Sequence, residues 1–232
     1  MTENQSPIVI DYYTDALCVW AYFGQIKVDE LKREFGERIE LHYKFIPLFG
    51  CCETRIGEGW EEGGYEGYSR HVLELATNFP HVEIHPRIWL DARPASSLPV
   101  HLVLKAVQLL ERRDELPTGE HGEKTLFETL VWNLRLGFFR DLENIADKAV
   151  LHRHLEQLNI PVEAVEREIA NGNAFAEMAL DIEEHKERMI EGSPTFLMNE
   201  GRQRLYGNVG YRAIAANVQE LLERKLDIPD WC

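Results

Sequence analysis

Apolar residues recur along this chain with two different periods, and the switches between them outline its elements. Ile8-Val9-Ile10-Asp11-Tyr12-Tyr13 is β-branched and aromatic and follows Pro7, the composition of a strand. After the turn Thr14 to Cys18, a helix is predicted to Phe35. There Val28, Leu31 and Phe35 keep helical spacing and Gly36 supplies a stop. Ile39 to Phe45 alternates apolar with polar, the period of a strand. Strand, helix and strand over so short a span predict a right-handed βαβ unit.

The glycine-rich stretch from Phe49 to Gly67, with an acidic cluster at Glu58 to Glu62, reads as a loop, either a surface excursion or a binding edge. From Pro94 to Met189 the period is helical. Stripes run through Val100, Val103, Leu104, Val107 and Leu110, and through Phe127, Leu130, Val131, Leu134 and Phe138. Leu151, Leu155 and Leu158 follow, then Val162, Val165 and Ile169 after Pro161, which is expected in the first turn, then Phe175, Met178, Ala179 and Ile182. Such stripes predict a helical core and no activity. Thr195 to Met198, the turn Asn199-Glu200-Gly201 and Gln203 to Tyr206 read as a hairpin. Ile214, Val218, Leu221 and Leu222 mark a closing helix, with Pro229 beyond it.

Composition narrows the function classes. The chain has 232 residues, long enough for a substantial core, and a net charge of −15. That sign argues against nucleic acid and an anionic membrane as partners. No secretory leader opens the sequence and no apolar run reaches spanning length, so the expected compartment is the cytoplasm. The four cysteines, Cys18, Cys51, Cys52 and Cys232, form no CxxC and no zinc pattern, and no metal is expected. The pairs His81/His85 and His152/His154 have ligand spacing without a supporting cluster, and read as solvated or capping residues.

Cys18 is set apart by position. A cysteine opening a helix faces unsatisfied amides and the positive helix end, which favour thiolate and are expected to lower its pKa. Thiolate is the form that attacks a disulfide. The alternative reading is a small buried apolar residue, the usual fate of a free cysteine. Trp20 and Tyr22 beside it fit an apolar substrate platform or core packing equally.

Asp15-Ala16-Leu17-Cys18-Val19-Trp20-Ala21-Tyr22, after the first strand, resembles the active-site segment of cytoplasmic DsbA-like oxidoreductases of the FrnE-like branch, where Cys-Pro-Trp-Cys-Tyr is typical. Gly192-Ser193-Pro194-Thr195-Phe196-Leu197 is similar to that family's cis-proline segment. Phe45-Ile46-Pro47-Leu48 also resembles these proteins and the related 2-hydroxychromene-2-carboxylate isomerases; the related kappa-class glutathione transferases are similar in architecture and in lacking a dithiol pair. The resemblance implies an α/β, thioredoxin-like fold (βαβ…ββα) interrupted by an all-helical insertion. It divides the chain into an N-terminal thioredoxin-like part at 1–64, a helical subdomain at 65–190 and a C-terminal part at 191–232.

The same resemblance implies Cys18 as nucleophile and Pro194 as a site-shaping cis-proline. Ser193 and Thr195 would offer backbone to a substrate or to glutathione, and Val19, Trp20, Ala21 and Tyr22 complete the segment. The chain departs from the pattern where Ala21 replaces the second cysteine and Val19 the proline. Monothiol chemistry with glutathione as co-substrate is one outcome, with no tightly bound cofactor. The substrate would then be a disulfide-containing or glutathionylated protein, or a small-molecule thiol. Cys51 and Cys52 are candidate resolving thiols, because the loop after the second strand emerges on the same sheet edge as Cys18. Cys232 is a weaker candidate. A glutathione-dependent isomerase or transferase acting on a small hydrophobic substrate is the second reading, with Asn208 before the last helix as a candidate carboxylate contact. A non-catalytic binding protein on the same fold is the third. Oligomeric state is not legible in the sequence.

Overall fold

A computed structural model describes residues 6–117 and 124–223; Cys232 and Pro229 lie outside them. Four strands form one mixed sheet in the order β2-β1-β3-β4. β1 (Ile8–Thr14) and β2 (Ile39–Phe45) run parallel, joined by helix α1 (Val19–Phe35). β3 (Thr195–Met198) lies antiparallel on the other side of β1, and β4 (Gln203–Tyr206) pairs with β3. α8 (Tyr211–Glu223) closes the chain. The strand and hairpin expectations therefore hold. β1 is central, and Ile10, Tyr12 and Tyr13 are fully buried along it.

Among the described residues six helices lie between β2 and β3: α2 (Gly64–Ala76), α3 (Leu98–Arg112), α4 (Leu126–Phe139), α5 (Lys148–Gln157), α6 (Val162–Ala170) and α7 (Asn173–Glu187). The predicted stripes of α3 and α4 are buried throughout. Each large apolar side chain removed from water contributes about 1.5–3 kcal/mol, so these two faces alone account for much of the core. α4 starts at a capping box, in which the Thr125 hydroxyl accepts from the Glu128 amide and the Glu128 carboxylate accepts from the Thr125 amide. Among the described residues no helix is long and apolar enough to cross a membrane.

Three expectations need correction. The stretch 49–67 is not all loop: it holds a π-helical turn at Glu53–Gly57, and α2 already begins at Gly64. The reason is local packing. At Gly67 a Cβ would fall 1.9 Å from the Glu62 carbonyl oxygen, so glycine here allows a close approach that a loop reading ignores. Pro161 precedes α6 as its cap instead of lying in the first turn. On α7 the predicted stripe is rotated, with Ala174, Met178 and Asp181 buried while Phe175 and Ala179 are exposed. A buried ion pair sets that rotation: Asp181 faces inward to meet Lys105 at 2.5 Å.

Candidate functional site

The parallel strands β1 and β2 end on one edge of the sheet, and the chain leaving each contributes to a single small site. After β1, Asp15 to Cys18 forms a turn closed by the Cys18 amide donating to the Asp15 carbonyl at 3.1 Å. The Asp15 carboxylate accepts the Leu17 amide at 2.8 Å, the side-chain-to-backbone bond that makes aspartate a turn former. Cys18 is extended and caps α1, with its carbonyl accepting from the Ala21 and Tyr22 amides.

Across the site, the Ser193–Pro194 peptide bond is cis. The Ser193 carbonyl accepts from the Cys18 thiol at 3.2 Å, and the Ser193 hydroxyl accepts from the Asp15 amide at 3.1 Å. Two segments 175 residues apart in sequence thus meet at one sulfur. Cys18 and Ser193 share a cavity of about 240 Å³ with Trp20, Phe49, Trp60 and Tyr68, and with Arg55, His71, Glu191 and Tyr206. Gly192 is needed in this wall, since a Cβ there would lie 3.0 Å from the Tyr206 ring. The Arg55 guanidinium lies 4.9 Å from the centre of the Phe49 ring, and the indole nitrogen of Trp60 is buried without a partner among the described residues.

The expected thiolate activation is not what this environment produces. Burial pushes the Cys18 thiol up, and the nearby Asp15 carboxylate adds to that; the Ser193 side chain and the Ala21 amide pull the other way without prevailing. A helix end favours the anion only where water or donors replace lost hydration. Cys18 is 5% exposed, so desolvation dominates.

The remaining predicted residues separate into those at the site and those away from it. Val19 and Trp20 line the cavity with Cys18. Ala21 is fully buried in α1. Tyr22 is core, not platform: its ring stacks on Phe139 at 4.6 Å and on Trp132 at 5.3 Å, and its hydroxyl donates to the Glu83 carbonyl. Thr195 cannot offer a free backbone, because β3 pairs it with Tyr13 on one side and Tyr206 on the other. Its hydroxyl instead donates to the Gly192 carbonyl at 2.7 Å, bracing the segment that carries Ser193. Among the described residues no hydrogen bond takes the Ser193 amide.

Neither candidate resolving thiol lines the cavity. Cys51 is exposed and contacts the Thr54 hydroxyl at 3.2 Å, which lowers its pKa. Cys52 is buried, donates to the Phe49 carbonyl and is pushed up to about 12 by burial. Asn208 also lies outside the cavity lining, and its carbonyl oxygen accepts from Lys27, which ties the start of α8 to α1. The histidine pairs are engaged in structure: His81 meets the Phe23 carbonyl, His152 meets Glu166, and His154 meets Glu143.

Sequence reading missed three buried polar residues beneath the turn. Asp15 is fully buried, and besides Leu17 it accepts the Phe49 amide at 3.0 Å and the Ser97 hydroxyl at 2.8 Å. Burial alone would raise its carboxyl, but His101 and the amides of Phe49 and Leu17 outweigh that and hold it below the ordinary carboxylate value. His101, also fully buried, accepts the Ala16 amide through Nε2 at 3.1 Å, and that nitrogen lies 3.6 Å from Asp15. A signal existed, for His101 interrupts the apolar run Leu98 to Leu110 on a face that packs inward.

No protein-family model matches the chain, and no curated protein does. Solved structures do. A candidate protein disulfide isomerase from Nitrosomonas europaea superposes with a TM-score of 0.71 at 15% identity, over 94% of this chain and 98% of that one. The cytosolic disulfide reductase DsbM from Pseudomonas aeruginosa gives 0.63 at 19% identity, over 92% and 99%. A 2-hydroxychromene-2-carboxylate isomerase gives 0.61 at 14% identity, over 92% and 96%. The coverage of both chains in each pair includes the helices between β2 and β3, so the chain has the fold of the DsbA-like thioredoxin proteins, a βαβ…ββα frame interrupted by a helical block.

Proposed function

We propose that this protein is a thiol–disulfide oxidoreductase of DsbA-like type in which Cys18 is the single nucleophile and glutathione, or another small thiol, resolves the intermediate. The observation that carries this reading is the placement of the Cys18 sulfur, at a helix start, 3.2 Å from the Ser193 carbonyl and in the wall of a cavity. The two neighbours named for disulfide isomerase and disulfide reductase activity support it by fold.

In the first step the Cys18 thiolate attacks one sulfur of a substrate disulfide. The old S–S bond breaks, a mixed disulfide forms on Cys18, and the other sulfur leaves as thiolate. In the second step an external thiolate attacks the substrate-side sulfur and releases Cys18 as thiolate again. No second protein thiol is required, which suits the alanine at position 21 and the absence of Cys51 and Cys52 from the cavity wall. The Ser193 amide, for which no hydrogen bond occurs among the described residues, is the candidate group to pair with an extended substrate backbone. Such chemistry belongs in a reducing compartment where glutathione is abundant, consistent with a cytoplasmic location.

Incubation of the reduced protein with oxidised glutathione, followed by intact mass and peptide mapping, tests the reading. A single glutathione on Cys18, lost in Cys18→Ser, is expected. A Cys18–Cys51 or Cys18–Cys52 bridge would replace the external thiol by an internal one, and an unmodified Cys18 would remove the redox assignment. The aromatic wall of Trp20, Trp60 and Tyr68 favours a second reading, a glutathione-dependent isomerase or transferase for a small apolar substrate. It differs in one outcome, reversible glutathione binding that survives Cys18→Ser.

A further inference from the structure

Helix α2 turns one face to the Cys18 cavity: Tyr68, His71 and Leu75 recur at helical spacing and all line it. His71 is half-buried there, with the Trp60 ring at 5.0 Å and the Tyr68 ring at 6.4 Å. Its ring makes no hydrogen bond or ion pair among the described residues. His42, His81, His85, His101, His152 and His154, by contrast, each spend a ring nitrogen on a neighbour. At about 240 Å³ the cavity is smaller than the roughly 300–1,000 Å³ of a site for a drug-sized ligand, so one small disulfide there meets both the Cys18 sulfur and the imidazole.

Disulfide exchange releases a thiolate, and the wall that receives it is aromatic, with Trp20, Phe49, Trp60 and Tyr68, and hydrates an anion poorly. A proton delivered there removes that cost. A guanidinium keeps its protons, a carboxyl has shed its own near neutral pH and a phenol holds on to its proton, which sets aside Arg55, Glu191, Tyr68 and Tyr206. An imidazole exchanges a proton in this range.

We propose that His71 is a catalytic residue of the exchange, the general acid that protonates the leaving thiolate. This rests on the oxidoreductase reading of Cys18. The Cys18 thiol gives its proton to solvent, and the electron pair of its thiolate forms the new S–S bond. The pair of the old S–S bond departs with the leaving sulfur, which takes a proton from the His71 imidazolium and leaves as neutral thiol. The imidazole regains a proton from solvent, and no oxidant or reductant takes part besides the disulfide and the thiol.

The test reads the first step alone, the rate at which Cys18 gains half of a symmetrical disulfide, by intact mass under single-turnover conditions. Bis(2-hydroxyethyl) disulfide releases an alkyl thiolate that needs a proton. Dipyridyl disulfide releases a pyridinethiolate whose charge is delocalised and which leaves unaided. His71→Gln should slow the first about a hundredfold and the second less than about threefold. Equal losses with both, or no loss with either, would overturn the proposal, since a loosened cavity slows the two alike. Should His71→Gln fail to fold, the unaltered protein decides. Its preference for dipyridyl over the alkyl disulfide should be about tenfold smaller than that of free glutathione at the same pH, and an equal preference would overturn the proposal. If the unaltered protein forms a Cys18 mixed disulfide with neither reagent, the oxidoreductase reading falls and this inference with it. Equal losses in His71→Gln sink the role of His71 and leave that reading standing.

Discussion

Two residues one helical turn apart on α3, His101 and Lys105, meet two buried carboxylates with opposite results. At the turn before α1, Asp15 accepts two backbone amides and a hydroxyl beside His101, and its carboxyl is held below the ordinary value. At the outer edge of β2, Asp181 accepts a single amide, that of Phe45 at 2.7 Å, and pairs with Lys105. Burial pushes the Asp181 carboxyl up despite that ammonium, and burial also pushes the Lys105 amine down. The lesson is that a buried carboxylate is held ionised where His101 and several amide and hydroxyl donors converge on it, and not where one ammonium, itself desolvated, and one amide face it. The first arrangement serves a site. The second pins α3 and α7 to the sheet edge, where Lys44 and Glu184 continue the network at 2.9 Å.

Breaking the two networks should expose the difference. Asp15→Ala strands two amides and a hydroxyl, at roughly 1–3 kcal/mol for each buried group left unsatisfied, so a loss of about 4 kcal/mol in urea unfolding is expected. Lys105→Met leaves Asp181 buried without its close partner and should cost about 3 kcal/mol. Adding Asp181→Leu should recover part of the Lys105→Met loss, because an apolar pair replaces the ionic one while the Phe45 amide is left without its acceptor. No second substitution at His101 should rescue Asp15→Ala, since the orphaned groups there belong to Leu17, Phe49 and Ser97. Equal rescue at both places would erase the distinction.

Acid titration sharpens the same contrast with a smaller signal. The Asp15 carboxyl is depressed in the fold, so its contribution is complete above the unfolded value and lost as pH falls through the folded one. The Asp181 carboxyl is raised, so its contribution runs the opposite way, present at low pH and lost as pH rises through the folded value. Below about pH 4, stability of the unaltered protein should therefore fall more steeply than that of Asp15→Asn, measured by thermal unfolding, whereas Asp181→Asn should keep the steep limb.

The smallest effect is predicted on the exposed face of α7. Phe175 is 54% exposed, and Phe175→Ser should change stability by no more than about 0.5 kcal/mol. A loss of about 3 kcal/mol would mean that the sequence periodicity had located the buried face correctly after all.

That stripe shows where sequence reading stopped. Hydrophobic period is a reliable guide when apolar contacts alone decide which face turns inward, as on α3 and α4. On α7 the decision fell to Asp181, a charged residue whose partner lies on another helix, and no local pattern announces that. The candidate site divides in the same way. Cys18 and Pro194 stood out because each lies where a strand meets a turn. His101 was visible only as an interruption in an apolar run, for its partner Ala16 lies 85 residues away.

By itself the sequence determined the order βαβ, helical block, ββα, the position of Cys18 at the start of α1, and the lack of a second thiol at position 21. These follow from local periodicity, turn chemistry and residue identity, which need no knowledge of the rest of the chain. Only the tertiary structure decided that Cys18 is desolvated against Ser193 instead of activated by the helix end, that Cys51 and Cys52 stay outside its cavity, and that Asp15 and His101 lie beneath it. Burial, and the pairing of groups distant in sequence, set the energy of a charge, and both exist only once the chain has folded.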